Sequence, residues 1–98
     1  EDAGGFAGTI VKVDTSMGLP DRGDLPLLTA IHVRRGQEAC GRIFSIYPDT
    51  ELFVRRSGQT NQVGVDRLIS NRNVRVWQSG ETLLSCPGQA VARRVKIE

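Results

Sequence analysis

The segment Asn73-Val-Arg-Val-Trp-Gln-Ser-Gly80, followed closely by Ser85-Cys-Pro-Gly-Gln-Ala-Val-Ala-Arg-Arg-Val-Lys-Ile97, decides the fold of this 98-residue chain. In its first part apolar and polar residues alternate. Val76 and the residues two positions away therefore face one side of a strand, and Arg75 and Trp77 face the other. In the second part, a Pro-Gly turn signal precedes a run that is again rich in strand-forming residues. The two runs predict the closing strands of a small β-structure, with a turn at Ser79–Gly80.

Strand signals also fill the rest of the chain, as short runs rich in β-branched and aromatic residues that end at Gly, Pro, Asn or Asp. We predict strands at residues 8–14, 27–33, 42–47 and 50–55, and a short strand or bulge at 82–85. In the first strand, strict alternation places Val11 and Val13 on one face and Ile10 on the other. A long loop covers residues 15–26, and a polar turn covers residues 57–61.

One short helical turn is predicted near residues 65–69. Asp66 is placed to cap it by accepting backbone N–H bonds, and Leu68 and Ile69 are expected to pack inward. Six to seven short strands with a single helical turn predict an all-β fold, a small OB-like barrel or sandwich. A closed barrel hides strand edges that would otherwise aggregate. The length fits one β-barrel-like domain, residues 1–98.

Charge is distributed unevenly along the chain. Residues 1–26 carry five acids and two bases, whereas residues 72–98 carry five bases and two acids. A solvated surface of mixed charge explains this distribution, and a basic face that attracts an anionic partner is the alternative. The arginine content, 11 of the 13 basic residues, favours contacts with carboxylate or phosphate but also follows from a G- and C-rich genome.

Two sequence features bear on the compartment. No apolar run approaches the roughly 18 residues of a membrane-spanning helix, so no transmembrane segment is predicted. The first residues, Glu1-Asp-Ala-Gly-Gly5, lack the basic start and the apolar stretch of a signal peptide. Such a start is compatible with the end left after a signal is removed, and equally with a shortened chain.

Cys40 and Cys86 are the two cysteines, and each lies beside a turn residue. They are predicted to form a structural disulfide, as is typical of exported proteins, with free thiols as the alternative. His32 is the single histidine and lies within an apolar strand, so it is expected to be a core or edge residue. Because the chain has no Cys-x-x-Cys or His-x-x-x-His spacing, and a cysteine nucleophile needs a histidine within hydrogen-bond reach whereas His32 lies inside an apolar strand, we predict no metal, no cofactor and no catalytic residue.

The loop at residues 15–26 contains two further patterns. Asp14, Asp21 and Asp24 offer oxygen ligands of the kind that Ca²⁺ prefers, but their spacing matches no known calcium loop, and a plain polar loop is favoured. Arg22-Gly-Asp24 is a tripeptide that adhesion receptors can read on an exposed loop. An ordinary turn is the simpler interpretation.

The two ends of the chain together resemble a YobA-like family of small bacterial proteins. The pattern is a glycine-initiated first strand, a Val-Arg-Val-Trp strand, a glycine turn, and Ser-x-Pro-x-Gln-Ala-x-Ala before a basic and apolar last strand. The residues that carry the resemblance are Gly8, Val74, Val76, Trp77, Gly80, Ser85, Pro87, Gln89, Ala90 and Ala92. Cys86, where an aromatic residue is usual, and the long loop depart from it. The resemblance implies an exported or lipoprotein-like, non-enzymatic β-domain of unknown function.

The sequence therefore predicts a non-enzymatic β-domain of the periplasm, the cell envelope or the secreted fraction, with a structural or binding role. Its partner is expected to be a protein or an anionic envelope component. The predicted binding surface is an aromatic plate with flanking guanidinium groups, formed by Arg75, Trp77, Arg93 and Arg94. The alternative is an OB-like protein that binds single-stranded nucleic acid by stacking bases on exposed rings.

Overall fold

The structure, a computed structural model, describes residues 5–83 and 85–98. In this part of the chain it has seven strands: β1 (Phe6–Val13), β2 (Thr29–Arg34), β3 (Arg42–Ile46), β4 (Glu51–Arg56), β5 (Gln59–Gln62), β6 (Asn73–Leu83) and β7 (Gly88–Ile97). Short 3-10 turns span Thr15–Met17 and Val65–Arg67. The predicted all-β class is confirmed. The interpretation of residues 1–4 as a processed end, and the placing of Leu84 in a short strand, lie outside the described residues.

Five of these strands close into a barrel in the order β1-β2-β3-β7-β6, with β6 returning to β1. All of the pairings are antiparallel except that of β3 with β7, which is parallel. This parallel pairing joins the two free edges of the meander and so removes them from solvent. The result is a small OB-like barrel, as the strand spacing predicted.

The inward-facing side chains of the barrel strands form one apolar core. Its buried members are Phe6, Ile10, Ile31, Val33, Phe44, Ile46, Leu52, Leu68, Val74, Val76, Ala90, Ala92, Val95 and Ile97. Small alanines on β7 leave room for Phe44 on the neighbouring strand, whose side chain is fully buried. At Gly8 the backbone of β2 approaches β1 so closely that an added Cβ would lie 2.5 Å from the carbonyl oxygen of Arg34.

A bulge in β1 corrects the predicted alternation. Ile10 pairs with Val33 and Lys12 pairs with His32, so Val11 is an extra residue on its strand. An extra residue reverses the facing of the residues that follow it. Ile10 and Val13 consequently both pack on the core, whereas Val11 is 40% exposed. The prediction that Val11 and Val13 share a face is wrong for this reason.

The predicted turn at Ser79–Gly80 is wrong as well, because β6 continues through it to Leu83. Ser79 pairs with Val91 and Leu83 with Gln89, so the backbone of β6 bulges outward around Gly80 before it rejoins β7. The positive φ of Gly80, 77°, belongs to this bulge.

The hairpin of β4 and β5 extends the sheet beside the second half of β7. The first half of β7 pairs with β3, and residues Arg94 to Ile97 pair with β4 in parallel. Ser57 and Gly58, with φ of 52° and 79°, form the turn between β4 and β5, as a two-residue turn with both central φ angles positive requires. The sequence predicted only a polar turn there, because all four residues of β5 are polar and exposed.

The 3-10 turn at Val65–Arg67 closes one end of the barrel. Leu68 is 3% exposed and belongs to the core, as predicted, but Ile69 is 52% exposed. Gly64 occupies the cap position, without a side-chain hydrogen bond, so the prediction that Asp66 caps this turn is wrong. A single helical turn positions only one of two consecutive side chains toward the core.

The long loop between β1 and β2 folds back over the outer face of β3. The amide N–H of Leu19 donates to Ser45 Oγ at 2.9 Å, and the Tyr47 hydroxyl donates to the carbonyl oxygen of Pro20 at 2.8 Å. Asp14 accepts from the backbone N–H and the hydroxyl of Ser16, and these two hydrogen bonds hold the pKa of its carboxyl below the usual value. The loop therefore covers much of the outer surface of the β2–β3 pair.

The Arg22-Gly-Asp24 tripeptide forms a tight turn, as the simpler interpretation predicted. Arg22 and Leu25 exchange two backbone hydrogen bonds, at 2.9 and 2.8 Å. The Arg22 guanidinium turns back onto the barrel, 4.7 Å from the Tyr47 ring centroid and 3.7 Å from Asp49. Its side chain is therefore occupied by contacts within the chain.

Cys40 and Cys86 form the predicted disulfide, with their Cα atoms 5.1 Å apart. Each cysteine lies two residues before the first parallel pair, Arg42 opposite Gly88. The bridge thus continues the β3–β7 ladder beyond its hydrogen bonds and secures the joint that closes the barrel. The two cysteines are 46 residues apart in the sequence, and closing a loop of that length corresponds to roughly 4 kcal/mol of stabilisation on the chain-entropy model.

Replacement of both cysteines (Cys40→Ala with Cys86→Ala) is expected to lower the free energy of unfolding by about 2–4 kcal/mol. The loss arises because the unfolded chain regains the freedom that the bridge removes. Urea titration of the oxidised wild type and the double variant measures the difference. Equal midpoints and slopes for the two proteins would contradict the role assigned to the bridge.

Candidate functional site

The predicted binding residues lie on the outer wall of β6 and β7, where Trp77 is only 8% exposed. Its ring stacks on Phe53, with centroids 6.5 Å apart and planes inclined by 17°. The Arg94 guanidinium lies 5.0 Å from the Trp77 centroid and 4.9 Å from that of Phe53, and its Nε is 3.2 Å from Glu51 Oε1. Trp77 is therefore a packed residue and not an open aromatic plate.

The structure brings Arg75, Trp77 and Arg94 together on this wall, and Arg93 lies beside them at a bulge in β7. Arg75 Nη1 donates to the carbonyl oxygen of Gly5 at 3.4 Å, and Arg93 is exposed. The alternation of β6 predicted the shared face correctly. It gave no sign of Phe53, which reaches Trp77 from β4, a strand added in parallel beside β7.

All five aromatic residues of the chain are buried, with exposed fractions of 8% or less. They are Phe6, Phe44, Tyr47, Phe53 and Trp77. Stacking of nucleic-acid bases needs exposed ring faces. The loop that folds over β3 also covers the outer side of the β2–β3 pair, where Ser45 is 1% exposed and OB-like barrels commonly bind their ligands.

A second cluster of arginines lies at the end of the barrel opposite Leu68. We call this region the barrel mouth, a cavity of about 290 Å³ lined by Gly5, Phe6, Arg35, Arg42, Val76 and Gln78. The inward-facing residues of the strands change from apolar to polar here. Along β6 they run from Val74 and Val76 to Gln78, and Arg42 pairs with Val33 on the inward side of β3. The core therefore ends in polar groups.

Two guanidinium groups converge on one ring at the barrel mouth. The guanidinium carbons of Arg35 and Arg42 lie 4.7 and 4.6 Å from the Phe6 ring centroid. Both arginines also line the same cavity. Phe6 itself is held edge-to-face against Phe44, with centroids 5.6 Å apart. A ring anchored in the core fixes the position of both cations.

Gln78 holds Arg42 in place. Arg42 Nη1 donates to Gln78 Oε1 at 2.9 Å, and the Thr82 hydroxyl donates to the same oxygen at 3.0 Å. The Gln78 side-chain amide donates to the carbonyl oxygen of Gly80 at 3.0 Å. Because each end of the Gln78 amide is fixed by a partner, the Arg42 guanidinium is oriented before any ligand arrives.

The two arginines of the barrel mouth form no ion pair in the described part of the chain. Within residues 5–83 and 85–98, the ion pairs join Lys12 to Asp14, Arg22 to Asp49 and Arg94 to Glu51, and none involves Arg35 or Arg42. Glu38 is the one acid in the segment that connects the two arginines, and it forms no ion pair with either. Two like charges that share one ring repel each other, and an anion that contacts both would offset this repulsion.

His32 and the two cysteines are the residues that the sequence analysis weighed for catalysis and metal binding. His32 Nε2 donates to the carbonyl oxygen of Cys40 at 2.7 Å, and the Cys40 sulfur is bonded to Cys86, so that pair offers no thiol nucleophile. Among the described residues, no group of three His, Cys, Asp or Glu side chains is arranged to hold a metal ion. Asp21 accepts from the Leu27 amide at 2.8 Å and serves the loop.

A membrane-crossing helix is not present in the described part of the chain, where the helical segments are single 3-10 turns. Comparisons of the chain with protein-family models, with curated proteins and with solved structures found no match. The assignment of a site therefore depends on geometry and chemistry.

Sequence reasoning did not identify the barrel mouth, because Arg34 and Arg35 were assigned to a turn and Arg42 to the start of a strand. The available signal was the alternation of inward-facing and outward-facing residues along each strand. Arg35 lies two residues after the inward-facing Val33, and Arg42 two residues before the inward-facing Phe44. Polar residues at positions of core parity mark the point where a barrel opens to solvent.

Burial of Trp77 leads to a stability prediction. Trp77→Ala is expected to lower the free energy of unfolding by about 3–5 kcal/mol, because it removes a packed ring and leaves a cavity against Phe53. Arg93→Ala, a change at an exposed position of the same wall, is expected to alter it by no more than about 0.5 kcal/mol. Denaturant unfolding measures both. A Trp77→Ala protein as stable as Arg93→Ala would mean that the ring is exposed in solution.

Proposed function

We propose that this chain is a non-enzymatic binding module of the cell envelope, which recognises an anionic partner through its barrel mouth. The contact of Arg35 and Arg42 with the one ring of Phe6, without an ion pair to either arginine in the described structure, is the observation that carries the proposal. Electropositive clefts attract anionic partners and raise their local concentration. The partner is an anionic envelope component or an acidic surface of a protein.

The compartment is supported by the disulfide. Bridges of this kind persist in the periplasm, at the cell surface and in secreted proteins, and are rare where thiols are kept reduced. Cys40–Cys86 secures the strand pairing that closes the barrel, so an oxidising environment stabilises the fold. The resemblance of the two chain ends to a YobA-like family of exported or lipid-anchored bacterial proteins supports the same compartment.

Binding is favoured over catalysis because the barrel mouth contains fixed donors and no nucleophile. Guanidinium groups keep their charge at all ordinary pH values, so they bind and orient anions but do not exchange protons. Gln78 is held at both ends of its amide. This arrangement suits recognition of a charged group and supplies no acid–base pair for a reaction.

The outer wall at Arg75, Arg93 and Arg94 is the second candidate for contact with an anion. Its aromatic member is packed under Phe53, and Arg94 is already paired with Glu51. Single-stranded nucleic acid is the second candidate partner. The burial of every aromatic ring removes the stacking platform that such binding uses, so the charge at the barrel mouth fits a small anionic group better.

The proposed function is tested in cells that produce the protein. Free thiols are blocked with an alkylating reagent at the moment of lysis, and the mass of the protein shows how many were blocked. The protein is then followed through fractionation with and without nuclease. We expect no blocked thiols and the protein in the envelope or secreted fraction. Its retention by the envelope is expected to fall as salt rises, because salt screens the attraction between charges. Two blocked thiols, or release of the protein by nuclease, would contradict the proposal.

A further inference from the structure

We propose that the barrel mouth is a binding site for a tetrahedral oxyanion, a phosphate or sulfate group, with Arg35 and Arg42 as its paired donors. This inference rests on the proposed function and names the chemistry that its site recognises. The phosphate or sulfate group belongs either to a larger envelope polymer or to a free ion. The site chemistry is the same for both.

The donors are positioned by the barrel itself. Arg42 is the first residue of β3 and pairs with Val33 of β2 on one side and with Gly88 of β7 on the other. Arg35 follows β2 directly, and both guanidinium groups lie within 4.7 Å of the Phe6 centroid. Arg42 is fixed by these strand pairings, whereas Arg35 lies one residue beyond β2 and is placed by its contact with the Phe6 ring.

The remaining donors match an anion with several acceptor oxygens. Arg42 uses Nη1 for Gln78, which leaves its other N–H groups for a ligand, and no hydrogen bond to another described residue occupies the Arg35 guanidinium. A single guanidinium fork satisfies both oxygens of a carboxylate. Inorganic phosphate, sulfate and their monoesters have at least three non-bridging oxygens and can accept from two forks at once, so a pair of arginines favours them.

A purely structural role accounts for one of these arginines but not for both. One guanidinium over a ring is a favourable cation–π contact, and Arg42 alone, fixed by Gln78, would cover Phe6. Arg35 brings a second positive charge to the same ring against electrostatic repulsion, and it lies at an exposed position where its side chain forms no hydrogen bond or ion pair with another described residue. An oxyanion between the two cations turns this repulsion into attraction.

The disulfide holds the rim of the site. The segment that connects Arg35 to Arg42 contains Cys40, and the bridge fixes it to Cys86, just before β7 begins. His32 Nε2 donates to the carbonyl oxygen of Cys40 and secures the same segment to β2. Because the barrel mouth is held from both sides, the donors lose little freedom when they bind.

The test is a titration of the oxidised, full-length protein at constant ionic strength, followed by the NMR signals of the arginine Nε–H groups. The probes are inorganic phosphate, inorganic sulfate, acetate and an oligomer of sugars that carry phosphate monoesters. We expect saturable shifts of the Arg35 and Arg42 signals with phosphate and sulfate, and affinity for acetate about tenfold weaker. Tighter binding of the oligomer than of free phosphate identifies a polymer as the source of the group, and the reverse identifies a free ion.

Variants locate the site. Arg35→Gln/Arg42→Gln removes two charges from the barrel mouth, and Arg55→Gln/Arg56→Gln removes two exposed charges from the distant hairpin of β4 and β5. We expect the first pair of changes to weaken phosphate binding about tenfold or more and the second to leave it within about twofold. Arg35→Gln alone changes an exposed residue without disturbing the strands, so its expected loss of binding does not depend on the tolerance of Arg42 to replacement.

Two results would overturn the inference: phosphate and sulfate that shift no Arg35 or Arg42 signal, or equal losses of affinity in the two double variants, as general charge attraction would give. These results are separate from those that test the proposed function. A protein that is retained by the envelope as strongly after Arg35→Gln/Arg42→Gln keeps the function and refutes this site. A protein with phosphate binding at the barrel mouth but with reduced thiols in cells keeps the site and refutes the compartment.

Discussion

The parallel pairing of β3 with β7 is the constraint on which the rest of the structure depends. It joins strands that are far apart in sequence, and it turns an antiparallel meander into a closed barrel. Phe44 and Ala90 meet at this pairing and bring the two halves of the core together. The joint spans four residue pairs and has a loop-closure cost, since it connects distant segments. The bridge between Cys40 and Cys86 offsets that cost where the ladder begins.

The same pairing divides the surface into two regions with different properties. Because β3 occupies only the first half of β7, the second half is free to pair with β4, and Phe53 then covers Trp77 on the outer wall. At the other end of the pairing, Arg42 starts β3 and stands at the barrel mouth. The apolar end closed by Leu68 and the charged end at Arg42 therefore follow from one register.

Much of the fold was predictable from alternation and turn residues, and the failures have physical causes. Strand positions, the all-β class and the disulfide followed from local patterns. The bulge at Val11 was not predictable, because a bulge is fixed by the partner strand and not by the sequence around it. β5 was missed because it has no apolar face. Leu68 and Ile69 were both expected to pack on the core. The assignment is correct for Leu68 and wrong for Ile69, the next residue in the chain.

The site was harder to predict than the fold. The sequence placed Arg75 and Trp77 on one face, which the structure has, but the ring is covered by a strand whose position depends on a long-range parallel pairing. The barrel mouth combines Phe6, Arg35 and Arg42, residues brought together only when the barrel closes. Short-range patterns identify which way a side chain faces. They do not identify which distant residue lies opposite. The outer wall and the barrel mouth are both determined by such contacts between distant residues.

The central claim, closure of the barrel by β3 and β7, is tested most directly by nuclear Overhauser contacts in the full-length, oxidised protein. The account predicts contacts between the backbone protons of Phe44–Ser45 and those of Ala90–Val91 in a parallel pattern, with slow amide exchange along both strands. Absence of these contacts, together with rapid exchange of the β3 amides, would show that the barrel is open and would contradict the account.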